Sequence, residues 1–452
     1  MKSLSTIIQV SVAVLLLTAS FRTLAQDAPI QYWRYLDQRG INTFEPKKNA
    51  ETPAFEELRV RIGGAFTQQY QSLTHENKAD VKLAADGKTD LNKLYPLSAG
   101  FNLAEANLSF DVQLEDGIRL SLENYMSSRH HQEFWVKGGY VQVDKLPMFG
   151  NPEWFTKYVR AKIGHFQVNY GDQQFRRTDG GNAMYNPFVG NYIMDEFATE
   201  IGGEVYVFPT NDLMIMGGVT NGLINGQVKD VTRKPSFYTK LAFDKQITDD
   251  FRFRLSGSAY MNKESGGSTL FGGDRTGSRY YYALVPEYFL SGGAVTASTT
   301  DNQAFSGRVN PGFRTNVTTW QVAPFLKFKG LEVFATYEKA KGYTSSDPKK
   351  EGASKPEKRK VDQVSVEGIY RFLPREQVYL GARYNTVSGR LDARVDNDLT
   401  VNRYEIVAGW YTTKNLLLKS AYVNQEYKDY PSANLYSEGK FNGVMIEAVL
   451  AF

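Results

Sequence analysis

The chain has 452 residues, with 53 Lys and Arg against 49 Asp and Glu and a formal net charge of +4, a near balance that argues against a dedicated nucleic-acid binder. It has no cysteine, which excludes disulfides, thiolate metal ligands, cysteine nucleophiles and a lipoprotein anchor. Aromatic residues reach 13 %, mostly Tyr and Phe.

The N-terminus reads MKSLSTIIQVSVAVLLLTASFRTLAQDAPI. Lys2 precedes an apolar run from Ile7 to Leu17, and Thr23 and Ala25 supply small residues for a cleavage site. This predicts an export signal over 1–25, its apolar run being too short for a spanning helix. Residues 26–56 read as a polar periplasmic leader. From 57 to 452 the sequence alternates with period two. ELRVRIGGAF sets Leu58, Val60 and Ile62 against Arg59 and Arg61. AEANLSFDVQL sets Leu108, Phe110 and Val112 against Ser109, Asp111 and Gln113. FRFRLSGSAYM sets Phe251, Phe253 and Leu255 against Arg252, Arg254 and Ser256. FNGVMIEAVLAF sets Val444, Ile446, Leu450 and Phe452 against Gly443, Met445 and Glu447. Each is a strand with one apolar face.

The predicted strands are 57–72, 99–114, 118–128, 133–144, 156–170, 197–208, 212–221, 235–247, 250–263, 316–328, 331–343, 361–372, 376–389, 401–412, 416–428 and 440–452. Many exceed ten residues, longer than sandwich strands and long enough to cross a bilayer at a tilt. Short connections such as Glu115-Asp116-Gly117 and Lys329-Gly330 alternate with long ones at 73–98, 171–196, 265–315, 344–360 and 429–439. The expected fold is therefore all-β: a transmembrane antiparallel barrel of about sixteen strands, with short periplasmic turns and long outer loops. RYYYALVPEYF, 279–289, could belong to an extra pair inside the loop 265–315, which leaves eighteen open. The connection KLPMFGNPEWF, 145–155, is long for a periplasmic turn, and its aromatics suit the interface girdle.

The segment RAKIGHFQVNYGDQQFRRTDGGNAMYNPF, 160–188, joins a strand to a long outer loop. In this it resembles the outer-membrane porins of Gram-negative bacteria, the sixteen-stranded general-diffusion and phosphate-selective porins being similar over the whole mature chain. Tyr185-Asn186-Pro187-Phe188 stands where general porins carry Pro-Glu-Phe-Gly. The resemblance implies a loop folded into the lumen, and it makes Phe452 similar to the terminal aromatic that the barrel-assembly machinery reads. It also admits a homotrimer.

Strand parity places bases and acids in near balance on the inner face. The candidate pore-lining residues are Arg59, Arg61, Arg160, Lys162, Arg252, Arg254, Glu200 and Glu204 from the wall, with Asp172, Arg176, Arg177 and Asp179 from the loop. Facing rows of bases and acids order water and pass polar solutes. A base cluster of Arg160, Lys162, Arg176 and Arg177 would instead give an anion site. Four histidines, at 75, 130, 131 and 165, adjoin no serine in a recognisable motif and show no metal-ligand spacing, so neither an enzyme nor a metal or cofactor is expected. The expected function is an outer-membrane porin, a passive channel for small hydrophilic solutes or ions. The alternatives are an anion-selective channel of the phosphate type and a non-conducting surface barrel or adhesin. Expected partners are outer-membrane lipids, lipopolysaccharide, the assembly machinery and the solutes.

Overall fold

A computed structural model of the chain describes residues 29–126, 134–178, 181–221, 234–263, 268–272, 280–299 and 306–452. The export signal, His130, His131 and Asp179 lie outside the described residues.

The alternating segments become strands that close on themselves. In chain order these are β1 (Arg59–Glu76), β2 (Gly100–Glu115), β3 (Ile118–Met126), β4 (Trp135–Val143), β5 (Val159–Gln167), β6 (Thr199–Thr210), β7 (Leu213–Thr220), β8 (Ser236–Thr248) and β9 (Phe251–Asn262). Two short strands follow, β10 (Tyr288–Ser291) and β11 (Ala294–Ala297). The wall resumes with β12 (Thr315–Phe328), β13 (Leu331–Tyr343), β14 (Arg359–Phe372), β15 (Val378–Gly389), β16 (Leu399–Thr413), β17 (Leu416–Lys428) and β18 (Lys440–Ala451). Sixteen of them form a closed antiparallel barrel in sequence order, with β1 pairing β18 from Ala65–Ala451 to Glu76–Lys440. β10 and β11 pair only with each other, so the extra pair sits in the loop and the wall count is sixteen. Closure removes every unpaired strand edge, which a bilayer requires.

The faces follow the pleat. Along β8, Phe237, Leu241 and Phe243 are exposed outward, whereas Tyr238, Lys240 and Ala242 are buried inside. The same inversion holds at β18, where Val444, Ile446 and Leu450 face out and Met445, Glu447 and Val449 are buried. A soluble sandwich would bury the apolar face; here it is the polar face that is buried, as in a barrel whose outer surface meets lipid.

The connection after β4 holds a 3₁₀ turn, Pro147–Phe149, and a short helix, α1 (Glu153–Tyr158). The strand predicted from 156 therefore begins only at Val159. Pro152 starts the helix and the Glu153–Lys157 ion pair spans one turn of it. Met148, Phe149 and Trp154 project outward from this connection.

Candidate functional site: a lumen divided by its own loop

The chain between β5 and β6, residues 168–198, enters the barrel. Its aromatic and aliphatic side chains have no outer surface to cover and are buried inside, with Ala183, Met184, Phe188, Val189, Ile193 and Met194 all at 0 % exposure. Successive wall strands hold its backbone. Lys419 on β17 donates to the carbonyls of Asn186 and Phe188, both at 3.1 Å, and also pairs with Glu447. Tyr411 on β16 donates to Met184 O at 2.9 Å, and Tyr379 on β15 to Pro187 O at 2.9 Å. Arg383 reaches Gly190 O at 3.1 Å, and Arg403 reaches Asn191 O at 2.6 Å. Gln363 on β14 brackets Met194, accepting from its N–H at 2.9 Å and donating to its C=O at 2.8 Å. A loop has no sheet partner for its peptide groups, so once dry it needs side-chain partners. The inward polar face of β14–β17 supplies them.

Ion pairs fix the loop's charged residues. Arg176 binds Glu367 at 2.6 Å, with Glu332 at 3.6 Å. Arg177 binds Asp195, another residue of the same loop, at 2.9 Å. Asp172 lies between Arg254 at 2.8 Å and Lys240 at 2.7 Å. The long connection between β9 and β12 covers the inserted loop: Tyr280 donates to Glu405 at 2.8 Å and to Val189 O at 3.1 Å.

The N-terminal segment fills the short-turn end. Gln31 Oε1 accepts from Gly117 N–H at 2.7 Å, Gln38 N–H donates to Lys414 O at 2.9 Å, and Lys48 Nζ donates to Asp144 O at 2.6 Å. Tyr185 of the inserted loop also donates to Tyr35 O. Gln31, Tyr35, Gln38 and Lys48 of the expected leader are thus in contact with the barrel and its inserted loop.

Between the loop, the segment and the wall of β1–β6 lies a cavity of about 270 Å³. Its wall side runs from Gln142 and Arg160 near the short turns to Lys137 and Thr199 near the outer loops. Five bases line it (Arg34, Arg119, Lys137, Arg160 and Lys162) with three acids (Glu45, Asp111 and Glu123). Trp33, Tyr140 and Phe166 give it aromatic walls, and Lys162 Nζ lies 4.4 Å from the Tyr140 ring centre and 4.3 Å from that of Phe166.

The candidate residues divide accordingly. Arg160 and Lys162 border the cavity, Arg160 braced by Asp144 at 2.8 Å and Lys162 by Glu204 at 3.6 Å. Glu204 sits behind the cavity wall, accepting from Tyr206 at 2.6 Å and Tyr238 at 2.9 Å. Glu200 accepts from Tyr260 at 2.9 Å and from Thr220. Arg61 is buried with its guanidinium 4.4 Å from the Trp33 ring centre. Arg59 turns to Glu56 at 2.9 Å at the short-turn end. Arg252 binds Asp244 at 2.6 Å. Arg176, Arg177, Arg252, Arg254 and Asp172 serve the inserted loop and the N-terminal segment rather than the cavity. Sequence reasoning missed Lys137, Arg34, Glu45 and Trp33. Lys137 lies next to Gly138-Gly139, where a bulge shifts β4 against β3, so simple parity misleads there.

No family model matches the chain, and no curated protein matches its sequence. Solved structures do match its fold. The chain superposes on an anion-selective porin from Comamonas acidovorans with a TM-score of 0.52 and 11 % identity, over 88 % of this chain and 100 % of that one. For the outer-membrane channel DcaP of Acinetobacter baumannii the TM-score is 0.51 at 13 % identity, over 88 % and 98 %. For OmpT of Vibrio cholerae in its trimer form it is 0.50 at 10 % identity, over 88 % and 100 %. At such identities the likeness is one of fold: the sixteen-strand outer-membrane porin barrel.

Proposed function

We propose that this chain, an outer-membrane barrel of porin fold, is a passive channel for small hydrophilic solutes with a modest preference for anions. The cavity along β1–β6 carries this reading, because the inserted loop fills the opposite half of the lumen and leaves that wall as the route. Size exclusion is set by the gap between the loop and the wall, and no chemical step is involved. The five bases against three acids around the cavity support the anion preference, as does the description of the Comamonas barrel as anion-selective. An excess of basic over acidic side chains along the lining lowers the barrier for anions entering a low-dielectric passage. A homotrimer is part of the same proposal, supported by the trimeric Vibrio barrel.

Planar-bilayer recording of the purified protein in a salt gradient tests it. The expected result is stepwise conductance with a reversal potential displaced toward the anion. Lys137→Glu with Lys162→Glu should move that potential toward the cation. A protein that inserts and never conducts would be a non-conducting surface barrel instead.

A further inference from the structure

The N-terminal segment presents a ring and a carboxylate to the lumen, and both are received. Phe44 is 2 % exposed, its ring set edge-on to Phe175 and Phe325 at centroid distances of 5.6 Å each, with the Arg254 guanidinium 4.2 Å from its centre. The next residue, Glu45, places Oε1 2.8 Å from Lys240 Nζ and Oε2 2.8 Å from Arg254 Nη2. Asn169 donates a third hydrogen bond to Oε1 at 3.0 Å. Lys240 and Arg254 come from adjacent strands, and their side chains are 0 % and 3 % exposed.

The charges explain why this carboxylate matters. Asp244 is taken up mainly by Arg252, at 2.8 and 2.6 Å. Beyond a weaker share in Asp244, 3.4 Å from Arg254 Nη1, Lys240 and Arg254 have two carboxylates, Asp172 from the inserted loop and Glu45 from the segment. Withdraw Glu45 and a buried positive charge is left uncompensated, a state that strongly favours recapture of an anion. Wall and inserted loop provide the other charged side chains around Lys240 and Arg254; Glu45 comes from the segment that precedes β1. Phe44 and Glu45 also border the open cavity, so a solute in the passage meets this joint directly.

We infer that the Lys240–Arg254 pair and the adjoining ring pocket of Phe175 and Phe325 form a binding site for a carboxylate carrying an aromatic ring, with Phe44-Glu45 as its built-in occupant. A solute with a ring and a carboxylate satisfies both halves of the site and competes with the segment. Binding then releases residues 30–48 from the lumen and widens the route at the short-turn end. The widening rests on the channel reading above; the exchange at the site does not.

Trypsin reads the segment's position, because Lys47 and Lys48 stand beside the occupant and are held against the wall. With the folded full-length protein in detergent, 3-phenylpropionate at constant ionic strength should raise the rate of cleavage at these two bonds saturably, by roughly tenfold, the scale expected when a buried charge contact is exchanged. Propionate and 3-phenylpropanol, each lacking one half, should do far less. Glu45→Lys should be cut rapidly without any solute, and the gentler Glu45→Gln should be cut at an intermediate rate. Lys240→Met, checked for folding by heat-modifiable gel mobility, should lose the response to 3-phenylpropionate. Equal cleavage of Glu45→Lys and the parent, or a response to 3-phenylpropanol matching that to 3-phenylpropionate, overturns the site. Conductance separates the two readings. A proteolytic response without any current removes the channel and keeps the site, whereas current with no proteolytic response does the reverse.

Discussion

At the scale of single residues, the seam between β1 and β18 shows how closely packing is fitted. Phe452 exchanges backbone hydrogen bonds with Gly64 at 3.0 and 3.1 Å, and its ring lies over that glycine. A Cβ on Gly64 would stand 2.9 Å from the ring's Cζ. Gly64→Val should therefore destabilise the barrel by about 1–3 kcal/mol through overpacking, read as a lower folded fraction by heat-modifiable mobility. Gly217→Ala, on an open stretch of outer wall with nothing within 4 Å, should be silent in the same assay. Lys419 supplies a second residue-scale prediction. Lys419→Met strands Glu447 without its cation and frees three loop carbonyls, those of Ala183, Asn186 and Phe188, at a cost of about 3–5 kcal/mol. Lys419→Met combined with Glu447→Leu should recover a good part of that loss, and a double-mutant cycle in urea measures the coupling. Parity made these inward residues legible in the sequence: Lys240, Arg254, Glu338, Arg383, Glu405 and Glu447 all follow the pleat into the lumen. Their partners were not legible. The union of Arg254 with Asp172 or of Arg176 with Glu367 depends on how a long loop crosses the lumen, and no local pattern encodes that path.

At the scale of elements, the inserted loop acts as a partition. The porin resemblance implied a loop folded inward, and its Phe175, Tyr185, Phe188 and Tyr192 form a cluster that is unfavourable in water. What the alternation could not show is that the loop rests against β8, β9 and β12–β17 and leaves a cavity beside β1–β6. This sets what charge reversal in the loop should do. Arg176→Glu with Arg177→Glu removes two buried ion pairs that anchor the loop and creates like-charge contacts with Glu367 and Asp195. The expected outcome is a loosened loop, seen as larger and noisier conductance and as new protease cuts between 176 and 194. A clean shift in ion selectivity at unchanged conductance would instead place both arginines on the open route. Residues 26–56 show no period, so sequence alone says only that they are polar. Their anchoring residues, Phe44, Glu45 and Lys48, are single side chains without repetition, and only the lumen gives them meaning. The helix α1 was hidden for a similar reason: six residues are too few for helical periodicity to declare itself.

At the scale of the whole molecule, a barrel of sixteen strands would enclose a wide lumen if left empty, and this one spends most of that space on its own chain. Buried ion pairs and peptide-to-side-chain hydrogen bonds hold the filling, and the lipid-facing belt holds the wall. On the proposed function, solutes pass between the inserted loop and the wall of β1–β6. The parent chain has no cysteine, so a single introduced thiol reports its own position without background. Ser121 lines the cavity, whereas Ser365 is 0 % exposed on the β14 wall away from it. In bilayer recordings, a bulky methanethiosulfonate reagent should abolish most of the current through Ser121→Cys and leave that through Ser365→Cys unchanged. Current that survives at Ser121→Cys and is blocked at Ser365→Cys would put the route on the β14 side instead.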